Sequence, residues 1–201
     1  MTLPHQQGRY VTTAEYQFPA GIDTDVLAQR PIELWARVYR PIDLSKGPFP
    51  VIVFLHGNHG ACGTGENPRV DDSILYSHAG ICPPGYVVTP NHAGYEYLGI
   101  PLASCGFIVV SVNANRGING AQGVPGDKGL NLARGRLILK HLHRWYEWNT
   151  LGGAPESLGV GSDGFIGRVD LKHVGLMGHS RGGEGARAAY RQYREADSRL
   201  N

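Results

Sequence analysis

Three short, unbroken apolar runs constrain the fold of this chain more than any other feature. They cover residues 51–56 ("VIVFLH"), 107–112 ("FIVVSV") and 174–178 ("VGLMG"). Runs of this length without polar alternation are typical of parallel strands that helices cover on both faces. The chain is therefore predicted to form an α/β sheet, mostly parallel and flanked by helices.

The segments between these runs carry the helices. Residues 130–149 repeat apolar side chains at helical spacing, and Asp127 is placed to cap the start of this helix. A shorter helix is predicted over residues 93–105, and a third begins after Ser180. The basic side chains of the long helix are expected mainly on its outer, solvated face; they are Arg134, Arg136, Lys140 and Arg144.

Two further strands are predicted before the first apolar run. Residues 32–40 ("IELWARVYR") alternate apolar and polar side chains, which indicates a strand with one covered face. Residues 10–18 ("YVTTAEYQF") form a weaker strand of the same kind, and we expect the two to pair as outer, antiparallel strands. The complete order is then two antiparallel strands followed by β-α-β-α-β-α.

The composition bounds the class of protein. With 201 residues, of which 41% are hydrophobic, the chain is expected to form one domain over residues 1–201. A net charge of +2 gives no field that would imply nucleic acid or an anionic membrane surface as a partner. No stretch approaches the ~18 apolar residues of a membrane span. We expect a soluble chain, either cytoplasmic or secreted with its leader absent from this sequence.

A long connection over residues 58–91 lacks clear periodicity and is expected to form a wall or lid over a site. It holds Cys62 and Cys82, which admit two interpretations. In the first, all three cysteines are unpaired and Cys105 is a small buried side chain. In the second, Cys62 and Cys82 form a disulfide. A bridge would stabilise the loop by ~3 kcal/mol and point to an oxidising compartment.

The third apolar run ends at a serine between glycines. Gly178, Ser180 and Gly182 fit the pattern G-x-S-x-G, with an apolar strand before it and a helix after it. A sharp strand-to-helix turn lifts the serine oxygen clear of the sheet only when the flanking residues are small. A serine that merely caps the helix does not require both glycines. We therefore favour Ser180 as a nucleophile.

With this motif in its context, the sequence resembles the α/β-hydrolase fold family over nearly its whole length. Residues 51–60 ("VIVFLHGNHG") look like that family's third strand and its H-G oxyanion loop. The resemblance implies that the backbone N–H groups of Asn58 and Arg181 hold the oxyanion, with Gly178 and Gly182 as the elbow glycines.

The resemblance also implies an activity, the hydrolysis of small-molecule carboxylic esters through an acyl-serine intermediate. We expect no cofactor and no metal, since the spacing of His56 and His59 with His78 or His92 matches no standard zinc site. Two alternatives stay open. In the first, the chain is a non-catalytic relative that binds a ligand or partner. In the second, it catalyses amide cleavage or cofactor-free peroxidation with the same fold.

The family's acid and histidine follow the serine, whereas only 21 residues follow Ser180 here, and they read as one helix. We expect this segment to be the N-terminal part of a longer hydrolase and to be inactive alone. A missing C-terminal portion, or self-association, is expected to cover the open edge of the strand at residues 174–178. A base within the chain, His56 or His59 with Asp71 or Asp72, is the less favoured hypothesis.

Overall fold

The structure is a computed structural model that describes residues 10–64 and 81–195. Within these ranges, the strands are β1 (Val11–Gln17), β2 (Gly21–Asp23), β3 (Leu27–Ile32), β4 (Trp35–Pro41), β5 (Phe49–Leu55), β6 (Cys62–Gly63), β7 (Val87–Val88), β8 (Ile108–Asn113) and β9 (Val169–Gly178). The α-helices are α1 (Glu96–Ser104), α2 (Asn131–Thr150) and α3 (Arg181–Glu195). Short 3-10 helices cover Leu44–Lys46, Asn91–Tyr95 and Glu156–Leu158.

The main sheet has the strand order β1-β4-β8-β5-β9. Strands β8, β5 and β9, which correspond to the three apolar runs, are parallel to one another. Strand β1 pairs antiparallel with β4, and β4 pairs antiparallel with β8. The predicted fold class, an α/β sheet flanked by helices with antiparallel N-terminal strands, is confirmed, as is the order β-α-β-α-β-α.

Helices cover the central strands on both faces, which explains why their sequences do not alternate. On one face, α1 packs over a cluster that contains Tyr39, Phe54 and Val109. A Cβ added at Gly99 of α1 would lie 2.4 Å from the Tyr39 ring, so the helix rests directly on β4. On the other face, α2 and α3 cover a larger core; its members include Val51, Val53, Leu55, Val110, Leu137 and Trp145.

Helix α2 begins as the sequence predicts, although one of its basic residues lies elsewhere. The carboxylate of Asp127 accepts hydrogen bonds from the N–H groups of Leu132 and Ala133, at 3.2 and 2.8 Å, which caps the first turn. The expectation that Arg134 lies on a solvated face is wrong. Its side chain is only 1% exposed, because α2 crosses α3 so closely that a Cβ on Gly185 would lie 2.7 Å from the Arg134 Cβ.

The strand predicted over residues 32–40 is broken. Strand β3 ends at Ile32 and pairs with β2 in a separate two-stranded sheet, while β4 begins at Trp35. Between them, the Glu33 side chain is buried and its carboxylate accepts a hydrogen bond from Gln17 at 3.0 Å. The alternating pattern indicated that the polar side chains of this segment face solvent. The buried Glu33 shows that this part of the prediction is wrong.

The long connection after β5 contains a disulfide. Cys62 is bonded to Cys82, and β6 pairs with β7 as a short antiparallel ladder beside this link. The interpretation with three unpaired cysteines is therefore wrong for this pair. Cys105 is free, but it is exposed at the end of α1 rather than buried. Asp71, Asp72 and His78 lie outside the described residues.

Candidate active site

The candidate nucleophile lies in a strained turn between β9 and α3. Ser180 has a φ of +53°, in the left-handed region that non-glycine residues rarely adopt, and it is exposed. Its carbonyl oxygen accepts a hydrogen bond from the Gly183 N–H at 2.9 Å, which closes the turn. Strain of this kind persists where the surroundings impose it, and it concentrates at functional sites.

Two glycines make this turn possible. A Cβ on Gly178 would lie 2.2 Å from the carbonyl carbon of Gly182. A Cβ on Gly182 would lie 2.0 Å from the carbonyl oxygen of Leu55, at the end of the neighbouring strand β5. Real Cβ atoms do not approach other atoms this closely. Only glycine at both positions allows the chain to turn over the end of β5.

The H-G loop after β5 lies against the elbow. A Cβ on Gly57 would lie 3.1 Å from the Ser180 Cβ and 3.0 Å from the His179 carbonyl oxygen. Asn58, the next residue, is exposed beside this contact. Neither the Asn58 N–H nor the Arg181 N–H donates a hydrogen bond to any residue that the structure describes. Both groups therefore stay candidates for the oxyanion donors that the sequence predicts.

His56 is a buried bridge inside this loop. Its Nδ1–H donates to the Gly57 carbonyl oxygen at 2.8 Å, and its Nε2 accepts from the Ala114 N–H at 2.9 Å. Burial, with a contribution from the nearby charge of Arg134, lowers the pKa of His56 to about 3. The ring therefore stays neutral near pH 7, and both of its nitrogens are already engaged, so it is not a base for Ser180.

Two other histidines, one in the H-G loop and one next to the serine in sequence, contact each other. The rings of His59 and His179 are stacked, with centroids 5.8 Å apart and planes 10° apart. Burial, followed by the Coulombic interactions with His179 and with Arg134, lowers the pKa of His59. His92 lies in a separate buried network with Glu15 and Asn113. In residues 10–64 and 81–195, no histidine forms a hydrogen bond with Ser180.

Arg134 is a buried cation beside the candidate site, and the sequence interpretation missed its burial. Its Nη1 donates to the His56 carbonyl oxygen at 3.5 Å, directly below the H-G loop. Burial, together with repulsion from Arg181 and against the attraction of Asp127, lowers its pKa to about 10. The guanidinium is therefore still charged at pH 7, and this buried cation favours negative charge that develops nearby. In the sequence, a buried arginine on a helix cannot be distinguished from an arginine on the solvated face of that helix.

Several asparagines near the H-G loop were also missed. Asn119, 0% exposed, hydrogen-bonds through its side chain to the main chain of His59. Asn115 and Asn91 extend this network to Thr89 and Gly60. The asparagine-rich segment at the end of β8, residues 113–119 ("NANRGIN"), is the feature of the sequence that could have indicated Asn115 and Asn119; Asn91 carries no such signal.

Metal binding and membrane crossing both need features that residues 10–64 and 81–195 do not supply. No group of three His, Cys, Asp or Glu side chains there could hold a metal ion together. No helix there has the length and apolar character needed to cross a bilayer.

Comparison with known proteins gives structural neighbours but no sequence relatives. No family model matches the chain, and no curated protein matches its sequence. The structure is similar to a ferulic acid esterase from Streptomyces cinnamoneus, with 18% identity and a TM-score of 0.50 over 97% of this chain and 59% of that one. A second ferulic acid esterase has 18% identity and a TM-score of 0.41, over 90% of this chain and 54% of that one.

This chain thus spans about three fifths of the length of the first of these structures. At 18% identity, the likeness concerns the fold and not the activity. The strand order, with β5 parallel to both β8 and β9 and helices on both faces, agrees with that likeness. The chain has the α/β-hydrolase fold.

Proposed function

We propose that this chain carries the nucleophile and the oxyanion hole of a serine hydrolase that acts on carboxylic esters. The observation that supports it best is the strained, exposed Ser180, with the H-G loop so close that a Cβ added at Gly57 would lie 3.1 Å from the Ser180 Cβ. A serine that only caps a helix has no need of a left-handed backbone or of two glycines that no other residue can replace.

The chemistry follows in two steps. The Ser180 oxygen attacks the ester carbonyl carbon while a base takes its proton, and the carbonyl electron pair moves onto the oxygen. That oxyanion accepts hydrogen bonds from the Asn58 and Arg181 N–H groups, each worth ~3 kcal/mol in the transition state. The alcohol then leaves with a proton, and water hydrolyses the acyl-serine by the same route.

Two buried groups support the role of Asn58. Because a peptide unit is planar and trans, the Asn58 N–H points opposite to the Gly57 carbonyl, which His56 holds by its Nδ1–H. Arg134 adds a positive charge below the same loop. The donor is therefore oriented before substrate arrives, and a preorganised donor needs no rearrangement during the reaction.

The base and the acid are proposed to come from outside this sequence. In the part of the chain that the structure describes, β9 pairs only with β5, so its other edge is open. Residues 172–175 of β9 are exposed. An apolar groove lies beside this open edge; its lining includes Leu139, Leu171, Val174, Leu176 and Tyr190. A C-terminal portion that covers this edge is proposed to bring the missing histidine and carboxylate to Ser180, and this segment alone is proposed to be inactive.

The test is ester hydrolysis by the full-length protein. p-Nitrophenyl acetate serves as a general substrate, and methyl ferulate is added because the similar structure is named a ferulic acid esterase. We expect Ser180→Ala to lower kcat by about 10³-fold or more. The control is Ser104→Ala at the end of α1, where the hydroxyl only donates to the Pro101 carbonyl. Wild-type activity in Ser180→Ala would refute the proposal.

A further inference from the structure

The side chain of Asn119 holds the main chain of the H-G loop at two points. The His59 N–H donates to its Oδ1 at 3.0 Å, and its Nδ2 donates back to the His59 carbonyl oxygen. The next residue, Gly120, donates its N–H to the Asn58 side chain at 2.7 Å. The loop after β8 is therefore hydrogen-bonded to two consecutive residues of the H-G loop, which lie about 60 positions earlier in the chain.

These hydrogen bonds, together with that of His56, fix the orientation of the Asn58 main chain. His56 holds the peptide unit before the Asn58 Cα, through the Gly57 carbonyl. Asn119 holds the peptide unit after it, through the His59 N–H. Because each peptide unit is planar, only φ and ψ of Asn58 remain, and fixing both flanking units fixes these two angles. The direction of the Asn58 N–H is then determined.

A second layer holds the Asn119 amide itself. Its Nδ2 also donates to the Asn115 Oδ1 at 3.2 Å, and that oxygen accepts from Asn91 at 2.7 Å. Asn91 donates in turn to the Gly60 carbonyl oxygen at 2.9 Å. Because the Asn119 side chain is 0% exposed, bulk solvent does not compete for these partners, so its rotamer and its amide orientation are set by the network.

We propose that Asn119 is a positioning residue that aims the Asn58 N–H at the oxyanion, an inference that rests on the proposed function. It touches neither substrate nor reacting atoms, and it acts through the main chain of His59. An oxyanion donor is stronger in the transition state than with bound substrate, so misaiming it lowers kcat and leaves KM nearly unchanged.

The first experiment compares Asn119→Ala with a matched control in the full-length protein. Asn149 also accepts one main-chain hydrogen bond, from the Val169 N–H at 2.9 Å, but at the opposite end of β9. We expect Asn119→Ala to lower kcat by about tenfold, part of the 10²–10³-fold that a whole donor contributes. KM should stay within about twofold. Asn149→Ala should lower the urea midpoint without changing kcat.

The second variant is Asn119→Asp, which keeps the acceptor for His59 N–H but cannot donate to the His59 carbonyl. Its carboxylate would face two oxygen atoms, those of His59 and Asn115. We expect its kcat to be no higher than that of Asn119→Ala. This variant keeps its side-chain volume, so it replaces Asn119→Ala if the alanine variant does not fold.

Two readouts separate positioning from general loosening. A boronic acid that forms a tetrahedral adduct with Ser180 should bind Asn119→Ala about tenfold more weakly, in step with kcat. Amide hydrogen exchange in residues 57–60 should accelerate in Asn119→Ala and not in Asn149→Ala.

The outcomes distinguish the two proposals. Wild-type kcat and boronate affinity in a folded Asn119→Ala, with an active parent protein, would overturn the positioning role alone. Unchanged exchange in residues 57–60 would overturn it without any activity measurement. A parent protein that neither hydrolyses esters nor reacts at Ser180 would instead refute the proposed function.

Discussion

A side-chain carbon on Gly182 would lie 2.0 Å from the carbonyl oxygen of Leu55, so the first turn of α3 rests directly on the end of β5. Replacing Gly182 by alanine should therefore force α3 away from the sheet. We expect Gly182→Ala to lower the free energy of unfolding by about 3 kcal/mol, as overpacking does in a tight core. Gly161→Ala is the control, since no atom lies within 4 Å of its added Cβ, and urea denaturation measures both. If Gly182→Ala is as stable as Gly161→Ala, the close contact between Gly182 and Leu55 is contradicted.

The left-handed backbone of Ser180 predicts an unusual stability change. A non-glycine residue in this region costs about 1 kcal/mol or more, whereas glycine does not. Ser180→Gly should therefore be more stable than Ser180→Ala by about 1 kcal/mol, with both variants inactive. Differential scanning calorimetry of the two proteins checks this. If alanine is as stable as glycine here, the turn does not store strain.

The disulfide gives a count that chemistry can check. The chain has three cysteines, and with Cys62 bonded to Cys82 only Cys105 should react with a thiol reagent in denaturant without reductant. Reduction should lower the free energy of unfolding by ~3 kcal/mol, because the link closes a loop of about 20 residues. Three reactive thiols before reduction would show that the link does not form in solution.

Acid should destabilise the fold through two buried histidines. Burial lowers the pKa of both His56 and His141 to about 3, whereas the unfolded chain titrates near 6.5. Between these values the unfolded state binds more protons, so the free energy of unfolding falls as pH drops from 6.5 towards 3. His141→Phe should reduce this slope, because it removes one of the two buried groups whose pKa differs between the folded and unfolded chain. A slope that His141→Phe leaves unchanged would contradict the assignment.

The strands and the tight turn at Ser180 were predictable because their signals are local. An unbroken apolar run needs cover on both faces, and β5 and β8 have that cover, whereas residues 172–175 of β9, at the edge of the sheet, are exposed. The two glycines around Ser180 indicated a tight strand-to-helix turn, and the chain turns there with Ser180 in a left-handed conformation. The pairing order of the strands, by contrast, depends on contacts between distant parts of the chain.

The missed residues share one physical property, namely polar side chains whose partners are far away in sequence. Arg134 looked like part of a solvated face, because periodicity cannot show that α3 crosses α2 at Gly185. Asn119 lies in a loop without periodicity, and its partner His59 is 60 residues earlier. Glu33 resembled an outward position in a strand until the structure showed it buried against Gln17.

The most direct test of the account is covalent labelling of the full-length protein with a fluorophosphonate, followed by peptide mass spectrometry. Such a probe reacts with serines that a base and an oxyanion hole activate. The account predicts one adduct, on the peptide that contains Ser180, and its loss in Ser180→Ala. A parent protein that remains unlabelled, or an adduct that persists in Ser180→Ala, would contradict the assignment of Ser180 as the nucleophile.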